Sequence, residues 1–281
     1  MADFDTGFDT GFDTGFDTGE VVRLLRQLAE DSSGLIVLDP GIDDAALDGW
    51  PVPVPEAIRV LLRAVGGVRL TVTRSEANGH TSYEHLDFAH PYNTGRYHGH
   101  DTSWYLEHAG GAGSHWFVFT DHGDGHTYVD VDRDTGDWGP VFRFWDYTDT
   151  ERVAPSLPVW LQEFADCARR ALVDTATTTA ATGGTPPTAA AIRAFGSTFA
   201  EHWTALDAQP ATVQPVTVAE ARSGTDPVLR EAAADLPGDA LLADLRPVAG
   251  SARVDFPFPV SCRYARRHGG AVLIATPWDG G

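Results

Sequence analysis

The apolar residues of this chain change their spacing three times. Val21, Leu24, Leu25 and Leu28 recur at helical intervals and stop at Asp31-Ser32-Ser33-Gly34, which predicts a short amphipathic helix. A brief apolar segment, Leu35 to Leu38, follows. Pro55 then opens a second expected helix with Ile58, Leu61, Leu62 and Val65 on one face and Gly66-Gly67 to end it. From Val68 the period falls toward two. Candidate strands are Val68 to Arg74, Ser103 to His108, His115 to Thr120, Thr127 to Asp132 and Pro140 to Asp146. The Gly, Asp and Asn turns between them are short, so neighbours are expected to be antiparallel. Helical spacing returns at Leu157 to Leu172, where Leu157, Trp160, Leu161, Phe164, Ala168 and Leu172 form a stripe broad enough to cover a sheet face. Helix, helix, strands, helix is an α+β order.

Asp174 to Thr188 is almost all Thr, Ala, Gly and Pro, the composition of a flexible link. The expected organisation is therefore a domain over 20–174, a linker over 175–188 and a small second α+β domain over 189–281. In the latter, Ile192, Phe195, Phe199, Trp203 and Leu206 mark a helix, and Val218 to Ala234 reads as another. Ala252, Val254, Phe256 and Phe258 then alternate with polar residues or proline, and Val260 to Arg266 is expected to pair with Ala271 to Thr276 across His268-Gly269-Gly270. At the other end, residues 4 to 19 are four tandem copies of Phe-Asp-Thr-Gly, too Gly-rich for a packed helix and too short in period for a solenoid. Residues 1–19 are expected to be a disordered tail. Asp-Thr-Gly is also the triplet of aspartic proteases, but those need two folded lobes in contact, and nothing in the sequence supplies them.

Composition narrows the partners. The net charge is −20, with 30 acidic and 12 basic residues before Ala176 and 10 and 8 from there on. Such a surface repels phosphate, so nucleic acid and anionic membranes are poor partners and basic proteins good ones. The apolar runs are broken well short of the roughly 20 residues that a membrane-spanning helix needs. The acidic start lacks the basic and apolar regions of a secretory signal, so a cytoplasmic location is expected. Cys167 and Cys262 are too isolated to suggest a disulfide framework or a metal site, and read as small buried hydrophobes.

Two clusters could carry chemistry. Nine of the eleven histidines lie between His80 and His126, among Asp87, Asp101, Glu107, Asp121 and Asp124. They are suited to zinc or iron, yet no metalloenzyme spacing is present, so a metal-dependent hydrolase is kept only as the alternative. Asp121, Asp124, Asp130, Asp132, Asp134 and Asp137 crowd a short stretch opposed only by Arg133, and alternation gives Asp130 and Asp132 one strand face. The calcium-loop spacing is missing, so a basic protein surface is the more economical partner. No nucleophile elbow, phosphate loop or dinucleotide fingerprint is found, and a phosphate-loop lysine is impossible in a chain without lysine. A non-enzyme without cofactor or metal is expected.

Certain phrases then bear on family. Val54-Pro55-Glu56-Ala57-Ile58 through Leu61-Leu62 to Gly66-Gly67, Thr127 to Asp132, Gly139-Pro140-Val141, Trp145-Asp146, and Val153-Ala154-Pro155-Ser156-Leu157 with Trp160-Leu161 occur in the order in which SUKH domains carry similar phrases. Residues of about 20 to 175 thus resemble the SUKH superfamily. The segment Glu76 to Gly113 is longer and richer in His than that pattern, and Val-Pro stands where the family has Leu-Pro. The resemblance implies an antiparallel sheet flanked by helices and a bacterial immunity protein that binds and blocks a toxin, often a nuclease, or else an intracellular adaptor. It implies no catalytic residues, and it makes Gly66, Gly67, Gly139, Pro140, Trp145 and Trp160 structural. The expected partner-binding residues are Asp121, Asp124, Asp130, Asp132 and Asp134, with Trp104 and Trp138 as aromatic anchors.

Overall fold

The computed structural model describes residues 17–50, 53–72, 82–89, 114–121, 125–132, 136–145, 148–179, 188–207, 210–257 and 262–277. The expected strand at 103–108, most of the repeat tail and most of the linker lie outside them.

Helix α1 (Thr18–Asp31) starts inside the last Phe-Asp-Thr-Gly copy, because the Asp17 carboxylate accepts from Gly19 N at 2.8 Å and caps it. Its Val21, Val22, Leu24, Leu25 and Leu28 are buried. Strand β1 (Ile36–Asp39), short helices α2 (Asp44–Asp48) and α3 (Glu56–Ala64), then β2 (Gly67–Val72) and β3 (Ser82–Asp87) follow. The three strands form an antiparallel sheet in the order β1-β2-β3. The connection from β1 lies directly on the end of α3: Ile42 N donates to Leu62 O at 2.9 Å. A Cβ on Gly41 would stand 1.8 Å from the Arg63 carbonyl oxygen, and one on Gly66 2.1 Å from that of Pro40. Only glycine permits that approach, which is the physical content of Gly66 at the helix end.

Strands β4 (Ser114–Asp121), β5 (Gly125–Asp132), β6 (Trp138–Trp145) and β7 (Thr148–Ala154) form an antiparallel meander, and α4 (Leu157–Thr179) and α5 (Ala189–Asp207) come next. Then come β8 (Ala211–Val213), β9 (Val216–Thr217), α6 (Val218–Ser223), α7 (Pro227–Ala233), β10 (Leu241–Asp244), β11 (Ala252–Val254), β12 (Cys262–Arg267) and β13 (Val272–Pro277). One sheet runs β4-β5-β6-β7-β11-β8, antiparallel except for the β11–β8 pair. A third runs β12-β13-β10-β9 and is antiparallel throughout. The class is α+β, as the order of elements predicts.

Period-two alternation splits the large sheet into two packed faces. Phe117, Phe119, Val129, Val131 and Val141 join α1, α3, α4 and α5 in the main core. Val118, Tyr128 and Phe142 point the other way and join Ala243, Leu245, Ala252, Val254 and Leu273 in a second cluster. A third cluster holds α6 and α7 against β10 and β13.

The segment 175–188 therefore does not separate two cores. Helix α4 continues through Thr179. Phe195 and Phe199 of α5 are buried in the main core, and Phe199 meets Phe164 at 5.5 Å between ring centroids. Strands β8 and β11 extend the meander sheet beside β7. The residues from 189 on are shared between that sheet and the smaller one, a pairing that local composition does not encode. The expected single helix over 218–234 is two, because Gly224 ends α6 and Asp226-Pro227 begins α7.

Candidate protein-interaction site

The acidic run of the sequence is pulled apart by the strand that carries it. Asp121 pairs in register with His126, and Asp132 with Ser114, so they sit at opposite ends of the β4–β5 ladder. Six residues of β5 separate those ends, about 20 Å at the rise of a strand. Asp124, Asp134 and Trp104 lie outside the described residues.

Asp130 lies within the molecule instead of on a free face, which corrects the expectation that a partner meets it. It is only 7% exposed, on the sheet face that the C-terminal part of the chain covers. Arg266 on β12 reaches it at 3.3 Å, and that guanidinium is itself 1% exposed. The same group donates to the Tyr128 hydroxyl and lies 4.2 Å from the Phe142 ring centroid and 5.2 Å from that of Tyr128. Flat, delocalised and weakly hydrated, a guanidinium is the cation best fitted to such a place. Nearby, Arg152 on β7 is 5% exposed and donates to the carbonyls of Leu245 at 3.1 Å and Gly250 at 2.7 Å, and to that of Val248. Burial pushes the pKa of Arg152 below its ordinary value. The β12–β13 turn completes the contact: Gly270, at φ +81°, leaves room for Pro140, where a Cβ would come 2.7 Å from the proline ring. The Gly139-Pro140 phrase serves that packing. Sequence reasoning passed over Arg152 and Arg266, although alternation along Arg263 to Arg267 puts Tyr264 and Arg266 on one face.

Trp138 holds the opposite arrangement, half-buried at the end of the meander. Its ring lies 4.6 Å from Phe117, and its indole N–H donates to Pro53 O at 3.0 Å. Gly136, at φ +76°, passes against Pro53. Trp50 meets Phe117 from the α2 side at 5.7 Å. One end of the fold thereby gathers α2, the start of α3 and the β5–β6 turn, and with them Asp43, Asp44, Asp48, Glu56 and Asp137, all exposed. Arg59 and Arg63 cross this group: Arg63 reaches Asp44 and Glu56 at 2.7 Å, and Arg59 reaches Asp48 at 2.7 Å. The hydrogen bond from Arg63 holds the Asp44 carboxyl below the usual range, with Arg59 adding to it. The site is a half-buried indole framed by exposed carboxylates, a shape that suits a basic protein surface.

The histidine-rich region gives little to metal chemistry where it is described. His85 Nε2 lies 2.9 Å from Asp39, which also meets Arg69 at 2.8 Å, and His126 is buried. Among the described residues no group of three or more His, Cys, Asp or Glu is placed to hold a metal ion. Among them, too, no helix is long and apolar enough to cross a membrane.

The fold and this site define an α+β module built around a helix-backed antiparallel meander. The SMI1 / KNR4 family (SUKH-1) model matches residues 45–163, and this part of the chain belongs to the SUKH superfamily. No curated protein and no solved structure matches the chain.

Proposed function

We propose that the protein is a non-catalytic binding module of the immunity kind, which occupies a basic protein toxin, such as a nuclease, and blocks it. The observation that carries this reading is the SUKH match over residues 45–163. The net charge of −20 supports it, since a strongly acidic surface speeds association with basic partners and turns away wrong ones. The contact surface we infer is the end of the meander around Trp138, with Asp132 and Asp137; Asp134 and Trp104 are proposed as contact residues on the sequence alone. Asp121, at the other end of the β4–β5 ladder, belongs to a second contact or to none, Asp124 is proposed on the sequence alone, and Asp130 is assigned to the interior. A cytoplasmic location and a bacterial toxin–antitoxin setting are part of the same proposal.

The test is affinity capture from the native host with the full chain as bait, washed at low and then high salt, with the bound proteins identified. A basic toxin released by salt supports the reading. Capture of no protein, together with zinc or iron bound in stoichiometric amount, would overturn it in favour of the metal-dependent hydrolase.

A further inference from the structure

The Phe-Asp-Thr-Gly repeat joins the folded chain at an exposed helix start. Of its last copy the structure describes Asp17, Thr18 and Gly19. The Asp17 carboxylate accepts from Gly19 N at 2.8 Å, and the Asp17 carbonyl oxygen accepts from Glu20 N at 2.9 Å and from Val21 N at 3.4 Å. This copy thereby satisfies the orphan donors at the start of α1. Asp17 and Gly19 are exposed, and a Cβ on Gly19 would meet only the Asp17 side chain within 4 Å. The register of the helix is set from the other side, where Val21 and Leu25 are both 0% exposed in the main core. Cap and stop thus come from the repeat, and the position of the helix comes from the apolar stripe after it. All four copies, residues 4 to 19, have the same sequence, and Gly, Asp and Thr are poor residues for a helix interior. Any copy placed before Glu20 therefore offers the same cap and the same stop.

We infer that the repeat is a modular extension: its copies are interchangeable caps of α1, and copies can be gained or lost in whole units of four residues while the folded part stays as it is. A change of copy number alters only the length and charge of the chain ahead of the cap, by one aspartate and one phenylalanine per unit. Loss of part of the last unit is different, because it puts another residue where Asp17 stands and leaves the first amides of α1 to water. The device holds whether or not the chain blocks a toxin, and its test needs no partner.

The full chain is compared with four, three, two and one copy, together with Asp17→Ala and a chain lacking residues 4–19, by urea unfolding and by the amide NMR spectrum. The four copy-number chains should share one unfolding constant within about twofold, and their amide signals from residue 21 onward should coincide. Asp17→Ala, and the chain without the repeat, should raise the unfolding constant on the order of fivefold, the usual effect of losing an N-cap. Asp5→Ala, Asp9→Ala and Asp13→Ala combined should leave it within about twofold. Stability that falls step by step from four copies to one, or signals beyond residue 21 that move with copy number, would mean that upstream copies pack on the fold and would overturn the inference. So would an Asp17→Ala chain as stable as wild type. If the chain without the repeat does not fold, the one-copy chain and Asp17→Ala decide the matter.

Discussion

Arg266 on β12 and Asp130 on β5 stand 136 residues apart in the chain and 3.3 Å apart in the fold, both nearly excluded from water. The pair marks the surface where the C-terminal part seats itself on the meander. Removing one partner leaves the other charge buried, which costs far more than the pair itself contributes. Arg266→Met should therefore destabilise the protein by about 3–5 kcal/mol in urea unfolding. Adding Asp130→Asn should restore part of that loss. A single substitution costing less than about 1 kcal/mol would mean that water reaches Asp130 once the arginine is gone.

Arg152 should matter through the loop it holds. Its guanidinium satisfies the carbonyls of Leu245, Val248 and Gly250, and Arg152→Met would leave them to water. The expected cost is about 1–3 kcal/mol. Hydrogen exchange should then rise at residues 245–251 while the amides of β5 and β6 stay protected.

Truncation after residue 174 should not yield a folded domain. It removes Phe195 and Phe199 from the main core and uncovers Val118, Tyr128 and Phe142 on the meander. Each buried side chain of this size contributes about 1.5–3 kcal/mol. The truncated protein should bind a hydrophobic dye and lack a cooperative thermal transition, whereas the full chain has one. A soluble, cooperative fragment 1–174 would show that the matched segment stands without its cover.

Gly66 and Gly238 make a matched contrast. A Cβ on Gly66 meets the Pro40 carbonyl oxygen at 2.1 Å, and one on Gly238 meets nothing within 4 Å. Gly66→Ala should cost at least about 1–3 kcal/mol, and Gly238→Ala should be within about 0.5 kcal/mol of wild type. Thermal melts of both variants decide it.

The acid limb of stability should carry the signature of Asp226. The hydrogen bond from Arg246, and then that from the Leu229 amide, hold its folded-state pKa below the ordinary value. A depressed folded pKa stabilises the fold above the unfolded pKa, near 3.9 for Asp, and that stability is lost as pH falls through the lower folded value. Between about pH 4 and pH 2 the Asp226→Asn variant should thus lose less of its melting temperature than wild type does. Parallel curves would mean that the α7 cap contributes nothing to acid unfolding.

Local spacing determined much of this protein. The helical stripe Leu157 to Leu172, the alternation in Thr127 to Asp132 and the Gly-Gly break at 66–67 identify their elements, because period and turn chemistry act between neighbours in the chain. The α+β class and the SUKH phrases follow from the same local information. What only the tertiary structure decided is which surfaces meet. Strand alternation tells that Asp130 faces away from Val129 and Val131, but not that Arg266 arrives there. Composition marks 175–188 as a link, but not that α5, β8 and β11 return to the domain before it. Asp121 and Asp132 are close in sequence and far apart in space because a strand is extended, and Asp130 and Arg266 are the reverse because burial rewards contacts at any separation along the chain.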